Sequence, residues 1–269
     1  MSFHEAMIKW SGDRFNGILS KVNEQSVTSA LSRDTLSEED LIALLSPAAV
    51  SFLEPMAKRA QETTIRHFGR TIQLFTPLYL SNYCVNGCVY CGFNTANKIP
   101  RGKLSYDEAE REAAAIAATG LRHVLLLTGE SPTESPVPYI AECSRRIRKF
   151  FDSVSIEVYP LLLDDYARLA DSGVDGITLF QETYDEELYA RLHPTGPKRD
   201  YRNRLDAPER ACAAGMRTVG IGALLGLGSW RHEAFLTALH GSWLQKKYPS
   251  ASIGFSLPRI RPHEGSFMP

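Results

Sequence analysis

Short apolar runs recur along the chain from residue 71 onward, and stretches with helical spacing separate them. The runs are rich in leucine and β-branched residues. An apolar run of this length, bounded by turn residues, is typical of a strand that is buried on both faces. Six strands are therefore predicted: TIQLF leading into PLYLS at 71–81, HVLLLT at 123–128, SVSIEVYP at 153–160, GITLFQ at 176–181, RTVGIGALL at 217–225 and ASIGFSL at 251–257.

Helical patterns lie between these strands, and strand and helix alternate. Near-continuous apolar strands separated by amphipathic helices favour parallel β/α units. Because crossovers between parallel strands are right-handed, six such units curl into most of a barrel. The sequence therefore predicts an α/β fold, a partial TIM-type barrel, with reactive groups where the strands end. The predicted helices between strands include 106–119, 138–150, 164–171 and 231–247.

The N-terminal part has a helical pattern without strands. Ser37 and the acidic residues after it precede LIALL in the manner of a capping box. A longer helix follows, and we expect it to kink at Pro55 and to stop at Gly69. The predicted organisation is a helical extension over 1–70 and an incomplete barrel over 71–269.

The composition is that of a globular protein with a sizeable core. The chain has 269 residues, of which 43% are hydrophobic and 23% charged, which excludes a disordered or collagen-like protein. Thirty Lys and Arg against 31 Asp and Glu leave no net positive field, so we expect no nucleic-acid partner and no anionic membrane partner, although a local basic patch stays open. No apolar run has the length of a signal peptide or a membrane helix.

Three of the five cysteines lie within eight residues, as Cys84, Cys88 and Cys91 in the pattern C-x3-C-x2-C. Three thiolates on one loop can hold three irons of a 4Fe-4S cubane and leave the fourth iron open. The amino and carboxylate groups of S-adenosylmethionine could bind that iron, and an electron from the cluster would then cleave the sulfonium bond. Crowded unpaired cysteines also indicate a reducing cytoplasm.

A structural zinc site is the alternative for these cysteines, with His67 or His123 as the fourth ligand. Zinc sites usually combine two C-x2-C pairs, and a second pair is missing here. Cys143 and Cys212 occur singly on helical patterns, where we expect them to be small buried hydrophobic residues.

The cysteine motif, with the aromatic Tyr90 before its last cysteine, resembles the cluster loop of the radical S-adenosylmethionine superfamily. Within it, the chain is similar to the tyrosine lyases of bacterial thiazole biosynthesis. The segments that carry this likeness are LLSPAA at 44–49, PLYLSNYCVNGCVYCGF at 77–93, LLLTGE at 125–130, FQETYDEELYARLHPTGPKRDY at 180–201 and PRIRP at 258–262.

The resemblance implies a reaction, cofactors and partners. A 5′-deoxyadenosyl radical oxidises L-tyrosine, the Cα–Cβ bond breaks, and 2-iminoacetate and 4-methylphenol leave. Reduced flavodoxin or a ferredoxin-type protein is the implied electron donor, and thiazole synthase is the implied acceptor of the product. Two alternatives stay open: the related tyrosine lyase of iron–iron hydrogenase maturation, and a non-catalytic metal-binding module.

Two carboxylates are candidate contacts to S-adenosylmethionine. Gly129 and Glu130 end the second strand, where a carboxylate can accept hydrogen bonds from an ammonium group, as in the family's glycine- and glutamate-containing motif. Glu157 lies within an apolar strand, where an unpaired carboxylate is costly, so a cofactor contact is expected. The alternatives are a helix-initiating acid at Glu130 and a residue paired with a lysine or arginine at Glu157.

Three further motifs follow later strands. Gln181 and Glu182 leave the fourth strand and are expected on the substrate or cofactor side, or else to cap a loop. Arg259 and Arg261 flank one residue; an extended chain places both on one face, either inward to bind the tyrosine carboxylate or outward against helix acids. The glycine-rich fifth strand resembles the family's adenine contact, with Gly222 and Leu224 as candidates.

The resemblance also implies an eight-stranded barrel, of which this sequence carries six strands. The segment 266–269 follows the sixth strand closely, so we expect that strand to present an unpaired edge with an apolar face.

Overall fold

The computed structural model describes residues 2–262 and contains a six-stranded parallel sheet whose spatial order equals the chain order. Every neighbouring pair is parallel. Within the described residues β1 and β6 are not paired with each other, so the sheet is open, and the predicted six-stranded partial barrel is confirmed. The strands are β1 Phe75–Ser81, β2 His123–Thr128, β3 Ser153–Glu157, β4 Gly176–Glu182, β5 Thr218–Ala223 and β6 Ser252–Ser256.

The helices between the strands follow the predicted positions closely. Between β4 and β5 a helical pattern was predicted only at Cys212, and two further short helices there were not predicted. The unpaired edge is predicted for the sixth strand, which in the described residues pairs with β5 alone, and the segment 266–269 that follows it lies outside the described residues. The helices are α1 Phe3–Met7, α2 Gly12–Leu19, α3 Glu24–Ser32, α4 Glu38–Leu45, α5 Leu53–Phe68, α6 Tyr106–Ala118, α7 Val137–Ile147, α8 Leu163–Asp171, α9 Glu186–Leu192, α10 Tyr201–Leu205, α11 Ala207–Ala213 and α12 Trp230–Lys247, with 3-10 turns at Ile8–Trp10, Pro47–Phe52, Arg148–Phe150 and Pro197–Arg199.

The described structure divides into two compact units by its internal contacts: residues 1–73 with 229–240, and residues 74–228 with 241–269. The predicted boundary after residue 70 stays a prediction. No single described helix is both long and apolar enough to cross a membrane. One pair of segments, Glu38–Leu45 and Pro47–Phe68, meets the length and composition criteria together, with a bend of 79° between them.

The core of the sheet unit forms because every second residue along the strands is apolar, and the face that these residues share packs against the helices. Burial of each CH2 group from water contributes about 0.8 kcal/mol, so these residues dominate the stability of the unit. Cys143 and Cys212 are buried among apolar residues of this core, as the sequence predicts. The strand residues of the core include Leu80, Val124, Leu126, Val154, Ile156, Leu179, Val219 and Ile221.

The predicted capping box in the N-terminal unit is present. The Ser37 side chain accepts a hydrogen bond from the backbone of Asp40, and the Asp40 carboxylate accepts one from the backbone of Ser37. The predicted kink at Pro55 is wrong, because Pro55 lies in the first turn of α5, where a proline breaks no hydrogen bond. The chain instead departs from helical geometry at Phe52, with φ −112° and ψ 13°.

A buried histidine makes the stability of this fold sensitive to mild acid. The His240 ring stacks on Phe3 with 4.0 Å between ring centroids, and burial lowers its pKa from 6.5 to about 3. Below pH 6.5 the histidine therefore binds a proton in the unfolded chain but stays neutral in the folded chain. The free energy of unfolding falls as a result.

We expect wild type to lose about 2 kcal/mol more stability between pH 7 and pH 5 than His240→Phe, which keeps an aromatic ring and cannot titrate. Urea unfolding at the two pH values measures the difference. Equal pH dependence in the two proteins would show that the histidine is protonated in the folded state.

Candidate active site

The three predicted ligand cysteines follow β1 on one loop and face one cavity of about 240 Å³. All three are free thiols. Exits of β2, β3 and β4 form the rest of the wall, as expected for a parallel sheet whose strand ends gather at one edge. Polar residues in the wall are Asn86, Thr128, Glu130, Glu157, Glu182, Lys198 and Arg204.

Burial sets the charge state of the Cys88 and Cys91 thiols. The pKa of Cys88 is raised to about 11, mainly by burial, while the Lys198 cation lowers it. Burial likewise raises the pKa of Cys91. Such thiols are protonated at neutral pH, and they release their protons when a metal binds, because a coordinating thiol is a thiolate.

The cysteine loop rests on residues 193–198, which we call the backing loop. The backbone N–H of Gly87 donates to the Thr195 carbonyl at 3.1 Å. The Tyr90 hydroxyl lies 2.7 Å from Nε2 of His193, whose Nδ1 is 2.8 Å from the Tyr189 carbonyl oxygen. His193 is fully buried, and burial lowers its pKa to about 3, so it stays neutral and holds the Tyr90 ring.

Gly129 and Glu130 join the end of β2 to the same loop. A side chain at position 129 would lie 2.9 Å from the Tyr83 carbonyl carbon and 3.0 Å from the Cys84 Cβ, so glycine is required there by close packing. Glu130 accepts a hydrogen bond from Nδ2 of Asn86 at 2.6 Å. It therefore lines the cavity and does not initiate a helix.

Glu157 also faces the cavity and not a helix. Burial raises its pKa, and the negative charge of Glu182 raises it further. Its predicted contact to a cofactor stays a prediction that its position supports.

Glu182 is the centre of a buried charge cluster that the sequence does not reveal. Its carboxylate accepts hydrogen bonds from Lys198 Nζ at 2.6 Å and from Arg204 Nη2 at 3.3 Å, and Arg204 Nε donates to the Phe180 carbonyl at 2.6 Å. Burial acts to raise the pKa of Glu182, but the two cations outweigh it and the pKa lies below its ordinary value.

The backbone of Glu182 has a φ of 73°, the left-handed conformation that non-glycine residues rarely adopt. An irregularity in the pairing of β4 with β5 occurs at the same point, between Phe180 and Glu182. Strain of this kind persists where the surroundings enforce it, and it is common at functional sites.

Five of the predicted site residues do not line the cavity. Gln181 is buried outside the wall, because Phe180 and Glu182 on either side of it face the cavity. A side chain at Gly222 would strike the Ser256 carbonyl, so glycine there serves the packing of β5 against β6. Leu224 packs against the apolar cluster of Cys88, Tyr90 and Leu192.

The expected inward orientation of Arg259 and Arg261 is corrected by the structure. Ile260 between them packs into that apolar cluster, and alternation along an extended chain turns its neighbours the other way. Both arginines are exposed, and neither lines the cavity. The cations that do line it are Lys198, which lies in the stretch 180–201 that resembles the tyrosine lyases, and Arg204, which was not among the predicted residues.

The zinc alternative lacks support in this arrangement. His123 begins β2, at the end of the sheet opposite to the cysteine loop, and neither it nor His67 lines the cavity. Among residues 2–262, no three His, Cys, Asp or Glu side chains are grouped as ligands of one metal ion. Thiolates of a cubane bind three different irons and do not converge on one point.

Comparison with known proteins decides between these possibilities. The model of the radical SAM superfamily matches residues 78–237. The chain is 41% identical to 2-iminoacetate synthase of Salmonella typhimurium and 40% identical to that of Escherichia coli, in each case over 97% of this chain and 70% of the relative. The chain belongs to the 2-iminoacetate synthase family of the radical SAM superfamily. The resemblance described from the sequence is thereby confirmed.

Solved structures agree with this assignment. The chain is similar to the FeFe-hydrogenase maturase HydG from Carboxydothermus hydrogenoformans, with a TM-score of 0.91, 31% identity and coverage of 100% of this chain and 65% of that one. A second HydG structure has a TM-score of 0.87, 30% identity and coverage of 94% and 58%. This chain thus spans less than two thirds of the length of these HydG chains.

Membership of the radical SAM superfamily implies a 4Fe-4S cluster and S-adenosylmethionine. The residues of the cavity wall suit both groups chemically. Three unpaired thiols supply the cluster ligands, and the Thr128 Oγ1 atom in the cavity wall is buried without a hydrogen-bond partner among the described residues. A buried polar atom of this kind is normally satisfied by a ligand or by water.

A glycine in the backing loop is required for the cysteine loop to lie where it does. Gly196 has a φ of +88°, and a side chain there would lie 2.8 Å from the Asn86 Cα and 2.9 Å from the Val85 carbonyl oxygen. We expect Gly196→Ala to displace the cysteine loop and to lower iron per chain several-fold after anaerobic reconstitution.

Gly215→Ala is the matched control, because Gly215 has a φ of +86° but open space around its Cα. It carries the same backbone strain of about 1 kcal/mol without the collision. Equal iron loading in the two variants would mean that the backing loop does not hold the cysteine loop.

Proposed function

We propose that this chain cleaves the Cα–Cβ bond of L-tyrosine to 2-iminoacetate and 4-methylphenol, converting S-adenosylmethionine to 5′-deoxyadenosine and methionine. The observation that carries the proposal is the 41% identity to a 2-iminoacetate synthase over 97% of the chain. The cavity supports it, since three free thiols and three carboxylates from different strand ends share one wall.

The bound cluster supplies the electron that splits the sulfonium bond. In this proposal Cys84, Cys88 and Cys91 hold three irons, and the fourth is left for the amino and carboxylate groups of S-adenosylmethionine. Glu130 accepts hydrogen bonds from the cofactor ammonium.

S-adenosylmethionine and L-tyrosine each carry a carboxylate, and a carboxylate in a buried site requires a cationic partner. Lys198 and Arg204 lie in the cavity wall and carry one positive charge more than Glu182 neutralises. We propose that these two cations bind a ligand carboxylate, the role predicted from the sequence for Arg259 and Arg261.

The electron donor in this proposal is reduced flavodoxin or a ferredoxin-type protein, and thiazole synthase accepts the product in the cytoplasm. The hydrogenase-maturation lyase is the second candidate, since HydG has the same fold. Identity is higher to the two synthases, at 40–41%, than to HydG, at 30–31%, which favours the thiazole branch.

Product analysis tests the proposal. The reconstituted chain is incubated anaerobically with dithionite, S-adenosylmethionine and tyrosine, and products are identified by mass spectrometry. We expect 5′-deoxyadenosine, 4-methylphenol, and glyoxylate from hydrolysis of the imine. 4-Methylphenol without the two-carbon product contradicts the proposed 2-iminoacetate product, and the absence of all three from a cluster-loaded protein favours a non-catalytic module.

A further inference from the structure

Asn86 lies between the first two cysteines, and its side chain is fully engaged. It is 1% exposed. Its Nδ2 donates to Glu130 Oε2 at 2.6 Å, and its Oδ1 accepts from the backbone N–H of Lys198 at 2.9 Å. Nδ2 also lies 3.8 Å from the Cys84 sulfur. One amide therefore connects the cysteine loop to segments 44 and 112 residues away in the sequence.

The two partners of Asn86 are functional parts of the same cavity. Glu130 leaves β2, and Lys198 begins a chain of contacts through Glu182 to Arg204. Asn86 consequently lies between the carboxylate proposed for the cofactor ammonium and the cations proposed for a ligand carboxylate. Its orientation fixes the distance between these two groups and the first cysteine.

We propose that Asn86 is a positioning residue, which holds one oxygen of Glu130 so that the other faces the ammonium of S-adenosylmethionine. This inference rests on the proposed cofactor site but not on tyrosine as the substrate. It assigns to Asn86 a role through Glu130 and not a direct contact with the reacting atoms.

Only a short amide satisfies both bonds. Aspartate keeps the acceptor toward Lys198 but places a second carboxylate beside Glu130, where like charges repel. Glutamine adds a methylene group to a side chain that is already buried. The backing loop is also fitted to this residue, since a side chain at Gly196 would collide with the Asn86 amide oxygen.

The test compares Asn86→Asp, Glu130→Gln and the double variant Asn86→Asp/Glu130→Gln. In the double variant the hydrogen bond is restored with reversed polarity, because the glutamine amide introduced at position 130 can donate to the aspartate introduced at position 86. Iron per chain is measured after anaerobic reconstitution, and the affinity for S-adenosylmethionine is measured from the change in the electron paramagnetic resonance of the reduced cluster.

We expect Asn86→Asp to weaken S-adenosylmethionine binding at least about tenfold and to lower iron loading. Glu130→Gln should weaken S-adenosylmethionine binding with normal iron. The double variant should regain the iron loading of Glu130→Gln. Rescue is the decisive result, since a general packing role would not be restored by a second substitution.

Asn82→Asp is the matched control. The Asn82 side-chain amide, near the cysteine loop, also makes two hydrogen bonds, donating to the Pro100 carbonyl at 2.8 Å and accepting from the Gly102 N–H at 2.7 Å. Asn82 does not line the cavity. Iron and S-adenosylmethionine binding should be unchanged in it.

The inference is overturned if Asn86→Asp binds S-adenosylmethionine as wild type does, or if the double variant holds no more iron than Asn86→Asp. Should Asn86→Asp fail to fold, the comparison of the double variant with Glu130→Gln still decides. A wild type that shows the cofactor-dependent spectral change but makes no 4-methylphenol contradicts the proposed substrate and leaves the role of Asn86 measurable.

Discussion

Cys88→Ala is expected to lose its iron almost completely while remaining folded. Three thiolates are the protein ligands of the proposed cluster, so removing one leaves two anchors for a cubane that already has one open iron. Cys88 is 4% exposed, and its loss leaves only a small cavity. Iron and sulfide per chain, together with visible absorption after anaerobic reconstitution, measure the effect.

Cys143→Ala and Cys212→Ala are the matched controls, because each makes the same substitution of cysteine by alanine. Both cysteines are buried in the apolar core of the sheet unit and do not line the cavity. We expect them to keep wild-type iron and to lose about 1 kcal/mol of unfolding free energy. Iron near the wild-type value in Cys88→Ala, or in either of the equivalent variants at Cys84 and Cys91, would contradict the cluster assignment.

The strands could be predicted from sequence because each is a short apolar run between turn residues. The expected burial of both faces is wrong, since the apolar core residues alternate along the strands and share one face. The helices α6 and α8 were equally visible as amphipathic patterns. The segment from α9 to α10 was not, since these helices have only seven and five residues and are separated by residues 193–196 and by Pro197. Helices this short carry too few turns for a periodic signal.

The site was predictable where its residues stand at strand ends. The cysteines, Glu130 and Glu157 were predicted in this way, because the strand predicts the position and the side chain predicts the chemistry, and they line one cavity. Asn86 and Lys198 were missed because their contacts join residues 112 positions apart, which no local pattern encodes.

Arg259 and Arg261 show the opposite failure. Their spacing correctly predicts a shared face but cannot say which face. That choice is made by Ile260, which packs against Cys88, Tyr90 and Leu192. A sequence pattern therefore predicts which side chains of an extended segment share a face. Packing against residues that are distant in the sequence decides whether that face turns toward the cavity or away from it.

The buried cluster around Glu182 leads to the second large expected effect. Glu182→Gln leaves Lys198 and Arg204 as two cations in a buried wall with no anion between them. Removing one member of a buried ion pair typically costs about 3–5 kcal/mol, far more than the pair contributes relative to apolar residues. We expect a loss of that size in the free energy of unfolding, measured with urea at pH 7.

Glu209→Gln is the matched control, since Glu209 pairs with Lys247 at a partly exposed position where such pairs contribute at most about 1 kcal/mol. The double variant Glu182→Gln/Arg204→Met removes one unpaired cation and should regain part of the loss. If the free energy of unfolding of Glu182→Gln lies within about 1 kcal/mol of the wild-type value, then water solvates the two cations or another anion neutralises them.

The pH dependence identifies the charge of Glu182 as the cause. Since the pKa of Glu182 in the folded protein lies below its ordinary value of 4.5, its stabilisation is complete above that pH and declines as the pH falls through the folded-state pKa. Glutamine resembles the protonated acid, so the difference between wild type and Glu182→Gln should be constant from pH 7 to pH 5.5 and should narrow below pH 4.5. A difference that stays constant down to the acid unfolding transition would show that the carboxylate shape, and not its charge, holds Lys198 and Arg204 in place.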